Sequence, residues 1–188
     1  IPEQHLGLDL RFMLTPQPDE AYMRYYLLLG NDWKPVVDGG KLPGLAGIYD
    51  RGGWGNRRSN GHNGWSTRGG FARIPSDAAS ALIPIGSYVY HADQHDDTGA
   101  YWGWNLQPAG MLQRGRWYCI EQYVRLNTLG KNDGVLRAWI DGHQVFERSD
   151  LRFRDTDKLK IEMAWFNVYH GGRSKPDREM SLYIDNVV

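Results

Sequence analysis

One cysteine, Cys119, in a chain of 188 residues leaves no partner for an intrachain disulfide, so a packed core must hold the fold. No apolar run is long enough to span a bilayer as a helix, and no membrane partner is expected. Lysine plus arginine and aspartate plus glutamate both number 22, so no global charge draws the chain to nucleic acid or anionic lipid. Long stretches with apolar residues at helical spacing are missing, which argues against a bundle or a doubly wound sheet. Missing too are an H-E-x-x-H pair, a cysteine cluster and a phosphate-cradling glycine loop, so zinc and nucleotide chemistry are not expected. His62, His91, His95, His143 and His170 lack paired metal spacing. A structural calcium ion is conceivable between loop carbonyls and an aspartate such as Asp185, but no oxygen-ligand loop supports one. No cofactor and no metal are therefore expected.

What the chain does have is glycine, 23 residues of it, and short alternating segments between turn dipeptides. LGLDLRFML puts Leu6, Leu8, Leu10, Phe12 and Leu14 on one face, and AYMRYYLLL reads as a second strand. IGSYVYH turns Ile85 and Val89 inward and Tyr88 and Tyr90 outward. RWYCIEQYVRLN buries Tyr118, Ile120, Val124 and Leu126 and presents Glu121, Tyr123, Arg125 and Asn127 to the other face. Asp141-Gly142 between two apolar runs is a hairpin signal, because a two-residue type I′ turn needs positive φ at both positions. LKIEMAWFNVYH is apolar on both faces, which fits either a central covered strand or a bulged one. MSLYIDNVV completes the set. Such short strands at regular spacing predict one all-β domain over residues 1–188, a two-sheet antiparallel sandwich of the jelly-roll, lectin-like type. A short helix is predicted over PSDAASALI, capped by Ser76 or Asp77.

Residues 34–73 differ from the rest: they are glycine-rich, alternate poorly and read as long loops around a single strand. Lys34, Lys41, Arg51, Arg57, Arg58, Arg68 and Arg73 face only Asp38 and Asp50 there, a surplus of five positive charges in a neutral chain. Within this segment NGWSTRGGF turns Trp65, Thr67 and Phe71 one way and Ser66 and Arg68 the other. A polyanion is the expected partner. No nucleic-acid-binding motif is present, whereas arginines clamp the carboxylates of an acidic polysaccharide bidentately and aromatic rings stack on its sugars. Aromatics make up 13% of the chain, with eight tryptophans and eleven tyrosines.

Hydrolysis of a glycosidic bond calls for two carboxyl groups. The E-x-D-x-x-E strand of jelly-roll glucan hydrolases is absent, and Glu121 is the one carboxylate that alternation aims at a groove. β-Elimination from a 4-linked uronate needs a different set: the C5 carboxylate neutralised, the C5 proton removed and the departing O4 protonated. Arg68 and Lys41 supply the first need, and Tyr88 or Tyr90 the second and third. A phenol titrates near ~10, and nearby cations are expected to lower that value.

These residues resemble polysaccharide lyase family 14, whose members cleave alginate or glucuronic-acid polymers and adopt a β-jelly roll. The resemblance runs through GGKLPGLAG at 39–47, NGWSTRGGF at 63–71, YVYHADQ at 88–94, GRWYCIEQYVRLN at 115–127, GVLRAWIDG at 134–142, WFNVYHGG at 165–172 and the terminal YIDNVV. It implies an active site of Lys41, Ser66, Arg68, Tyr88 and Tyr90, with Ser66 hydrogen-bonding the substrate. Glu121, Tyr123, Arg125, Asn167, Tyr169 and His170 are expected to bind substrate along the groove. A lyase that is a monomer and is secreted or periplasmic, since long polyuronates occur outside cells, is the resulting expectation. A module that binds acidic glycans without cleaving them and a hydrolase of neutral glucans stand as alternatives.

Overall fold

Alternation bounded by glycine turns becomes, in the computed structural model, two antiparallel sheets with twelve strands among the described residues. The structure describes residues 6–34, 37–74, 81–106, 110–171, 176 and 178–188, and no helix lies among them. The wider sheet runs in the spatial order β1 (Leu6–Met13), β11 (Met163–His170), β3 (Gly40–Gly47), β4 (Trp65–Phe71), β5 (Leu82–Tyr90) and β6 (Ala100–Gly103), with β7 (Met111–Gln113) also paired to β5. The second sheet runs β10 (His143–Leu151), β9 (Gly134–Ile140), β8 (Trp117–Arg125), β2 (Glu20–Leu29) and β12 (Leu182–Asp185). Neither closes into a barrel, and the result is the expected jelly-roll sandwich.

Inward-facing side chains of both sheets fuse into one core. Met23, Tyr25, Leu27 and Leu29 of β2 and Ile120 and Val124 of β8 join Leu42 and Leu45 of β3 and Ile83, Ile85 and Val89 of β5. Burial of side chains this size is worth roughly 1.5–3 kcal/mol each, which suffices without a disulfide. The hairpin turn sits at Asp141-Gly142, with φ of 50° and 78°.

Three readings of the sequence change. The segment 34–73 holds two strands, β3 as well as β4; glycines and Pro43 hide the alternation of the first. PSDAASALI lies mostly outside the described residues, and its Leu82 and Ile83 open β5. The apolar face of β1 is not sealed: Leu8, Leu10 and Phe12 remain 45%, 48% and 55% exposed. β1 is the edge of the wider sheet, and across the sandwich the edge strand β12 has only four residues. LKIEMAWFNVYH proves both central and irregular, since β11 lies between β1 and β3 and its pairing with β3 shifts between Trp165 and Tyr169.

Candidate active site

The outer face of the wider sheet gathers its polar residues around Arg68. Trp65 and Phe71, on the reverse of β4, are buried against Phe153 and Trp33 respectively. That anchoring fixes the opposite face. Arg68 is 2% exposed, an unusual place for a guanidinium. Its Nη1 donates to Asn167 Oδ1 at 2.7 Å, while Nε and Nη2 have no hydrogen-bond partner. Among the described residues no carboxylate pairs with it. Aromatic rings surround it instead: its guanidinium carbon lies 4.4 Å from the Trp165 ring centre, 5.5 Å from Tyr88 and 5.9 Å from Tyr90. Burial lowers its pKa to about 10, opposed by the two tyrosines and Asp9.

Register places the tyrosines directly: Ser66 pairs with Tyr90 and Arg68 with Tyr88 across β4 and β5. Lys41 Nζ sits 4.9 Å from the Tyr88 ring and 4.6 Å from the Tyr169 ring. Burial, with Arg68 nearby, pulls its pKa down to about 8. The Tyr88 phenol moves the other way from expectation. Burial and neighbouring Tyr90 push it up to about 12, outweighing the Arg68 charge and the Gly99 amide, which donates to Tyr88 Oη at 3.1 Å. Here desolvation of the phenolate outweighs the attraction of one cation. Gly99 is needed where it stands, because a Cβ there would lie 2.8 Å from both tyrosine rings.

Ser66 is fully buried, and its hydroxyl donates to the Gly53 carbonyl at 2.6 Å. Its hydroxyl therefore holds the loop that carries Gly53. That loop, residues 48–64, roofs Tyr90, whose hydroxyl accepts from Asn56 N–H at 3.4 Å and which is 1% exposed. Gly53 itself has φ of +86°, and a Cβ would strike the Trp65 backbone. Arg58 Nη1, reaching the His95 carbonyl at 3.2 Å, ties the loop to the segment after β5.

Of the six residues expected along the groove, the structure brings together two. Asn167 holds Arg68, and Tyr169 stands beside Lys41. His170 is on the same strand but the opposite face, buried with its ring 5.6 Å from Trp33. Glu121, Tyr123 and Arg125 lie on β8 in the other sheet, opposite the core-facing Ile120, Gln122 and Val124. Alternation told the faces of β8 apart correctly but could not say which sheet owned the strand. Asn127, expected beside them, is buried, with its amide donating to the Arg154 carbonyl.

Trp165, Asp9 and Arg11 were not anticipated. Trp165 Nε1 donates to Asp9 Oδ1 at 3.0 Å, and Arg11 bridges Asp9 at 3.2 Å and loop residue Asp50 at 3.0 Å. The W-x-N-x-Y spacing of β11 already set Trp165, Asn167 and Tyr169 on one face. Among the described residues no group of three or more His, Cys, Asp or Glu side chains is placed to hold a metal.

The sequence matches the family Polysaccharide lyase 14 over residues 9–183. Among solved structures, alginate lyase Aly36B is similar with a TM-score of 0.79 at 21% identity, over 100% of this chain and 80% of that one. The marine PL-14 alginate lyase from Aplysia kurodai aligns with a TM-score of 0.67 at 21% identity, over 93% and 70%. An endo-β-1,4-glucuronan lyase from the fungus Trichoderma reesei gives 0.56 at 15%, over 90% and 66%. No curated protein sequence matches significantly. With a family match running through almost all of the sandwich and its Arg68 cluster, the chain belongs to polysaccharide lyase family 14.

Proposed function

We propose that this polysaccharide lyase cleaves a 4-linked polyuronate, of the alginate or glucuronan kind, by β-elimination at the Arg68 cluster. One observation carries the reading: a buried guanidinium with two unpartnered donors, Nε and Nη2, beside a depressed lysine and a phenol. A sugar carboxylate supplies the acceptors that Arg68 lacks, and the pairing stabilises the charge that grows on that carboxylate as C5 loses its proton.

The proton roles follow from the two displaced pKa values. Lys41, at about 8, is partly neutral near neutral pH and takes the C5 proton. Tyr88, at about 12, stays protonated and gives its proton to O4 as the C4–O4 bond breaks and the C4–C5 double bond forms. The Gly99 amide donates to the Tyr88 oxygen and so steadies the phenolate left behind. Tyr90 and Asn167 wall and orient Arg68, and Ser66 fixes the loop over Tyr90. Polymers of this class are met outside cells, which is where the enzyme acts in this reading.

Incubation with alginate, its two homopolymeric blocks and glucuronan tests the proposal through the ultraviolet absorbance of the unsaturated product. Turnover on at least one polymer is expected, with kcat/KM rising through pH about 8 as Lys41 loses its proton. Affinity without new absorbance would make the domain a binding module, and reducing ends without a double bond would make it a hydrolase.

A further inference from the structure

β3 cannot be a regular strand. Lys41 pairs with Gly70 and Gly44 pairs with Arg68, so both lie on the active face although they are three residues apart. Leu42 and Leu45, also three apart, are both buried in the core. Strict alternation forbids this spacing. The irregularity is a bulge at Pro43, the residue left over between the Leu42–Gly69 and Gly44–Arg68 pairs. Proline suits it, having no N–H to lose. Without the bulge the parity of β3 would be continuous, and Gly44 opposite Arg68 would require Lys41 to point into the core.

The bulge leaves the Pro43 carbonyl to be satisfied from elsewhere. Its partner comes from the other sheet: Gln122 Nε2, on the core face of β8, donates to Pro43 O at 3.0 Å. Gln122 is 0% exposed. The Tyr25 hydroxyl is the polar neighbour of the same amide, and both are sealed from water. An amide buried among leucines and isoleucines carries a desolvation cost that its few polar contacts only offset. The cost calls for a reason, and the contact it makes supplies one.

We infer that Gln122 is a positioning residue for catalysis, a strut across the sandwich that holds the Pro43 bulge and thereby keeps Lys41 on the active face. The inference rests on the role given to Lys41 above. The groups facing the Lys41 amine are Arg68 on β4, Tyr88 on β5 and Tyr169 on β11, so relaxation of β3 moves the amine relative to all three.

Gln122→Leu keeps the volume apolar and removes the donor. It is expected to lower kcat about 10²-fold, the effect of a misplacement near 1 Å, with KM within about twofold. Titration of Lys41 after reductive ¹³C-methylation, followed by NMR, reads its surroundings without turnover. In Gln122→Leu that titration is expected to move up towards the ordinary lysine value. Gln122→Glu is the rescue: burial raises the carboxyl's pKa, and while protonated it donates to Pro43 O, so kcat follows the parent's at each pH up to the carboxyl's ionisation and falls below the parent's as it ionises. A folded Gln122→Leu with wild-type kcat and an unmoved Lys41 titration overturns the inference. A moved titration with unchanged kcat upholds the strut and instead removes Lys41 from the base role. Should Gln122→Leu not fold, Gln122→Glu decides alone, a wild-type pH profile overturning the inference and an alkaline loss of kcat upholding it.

Discussion

Arg68 and Arg137 make a useful pair. Each points outward from a strand, Arg68 from β4 and Arg137 from β9, and each lies near a tyrosine ring, at 5.5 Å from Tyr88 and 5.9 Å from Tyr123. Arg137 is paired with Glu147 at 2.9 Å and is 37% exposed. Arg68 is buried and has no carboxylate partner among the described residues. The difference runs through both faces. On the narrower sheet Tyr123 donates to Glu20 at 2.7 Å, Arg125 to the Asp133 carbonyl at 3.0 Å and Arg116 to Asp141 at 3.0 Å. On the wider sheet Arg68 and Lys41 are crowded by aromatic rings and lose water without gaining an anion among the described residues, although Arg11 nearby is paired with Asp9 and Asp50. A face with its charges matched is finished, whereas one with a desolvated cation is completed by a ligand that brings the carboxylate.

Arg68→Met puts this difference to its hardest test. Turnover should fall about 10³-fold, the scale of losing a charge-stabilising donor in a dry site. Thermal unfolding should shift upward, because replacing an unpaired buried charge by an apolar side chain of similar length removes a desolvation cost. Arg137→Met should do neither, since an exposed pair contributes about 0–1 kcal/mol. Unfolding midpoints and ultraviolet product assays on both variants read the outcome. An Arg68→Met protein that is less stable than the parent would show that the guanidinium is satisfied after all.

Ser66→Ala ranks next. Its hydroxyl is spent on the Gly53 carbonyl, so the variant leaves that carbonyl unpaired and loosens the loop over Tyr90. A stability loss of about 1 kcal/mol and a drop of about tenfold in kcat/KM are expected; a misplacement near 1 Å would cost more. If Ser66 instead contacted the sugar, KM would rise with the unfolding midpoint unchanged, and the two measurements together separate these roles.

The sandwich and its strands were legible because alternation and turn chemistry are local. So was the convergence of Arg68 with Tyr88 and Tyr90, since two short outward-facing motifs in successive strands have only one simple way to pair. Three features were not. The Pro43 bulge breaks the periodicity on which strand detection depends, so β3 read as loop although Lys41 was picked out. The direction of the Tyr88 shift depends on how much water its phenol loses beside Tyr90 and the Gly99 segment, which no spacing reports. Sheet membership is a matter of topology, and on that ground Glu121, Tyr123 and Arg125 were assigned to a groove they do not line.

That last displacement yields the smallest expected effect. If polymer binding uses only the wider sheet, Glu121→Gln and Arg125→Ala should leave kcat/KM within about twofold, because exposed, solvated or backbone-paired groups contribute little at a distance. Tyr123→Phe, which removes only the hydrogen bond to Glu20, belongs in the same set. The three combined should still act on short oligomers like the parent enzyme. Long polymers make the sharper substrate, since a chain wrapping around the sandwich would reach β8, and a loss confined to them would show that the two faces share one ligand. Equal rates on long and short chains would leave the narrower sheet a structural wall, its charges matched among themselves and its tyrosines packed against each other, as Tyr22 and Tyr123 are at 4.5 Å.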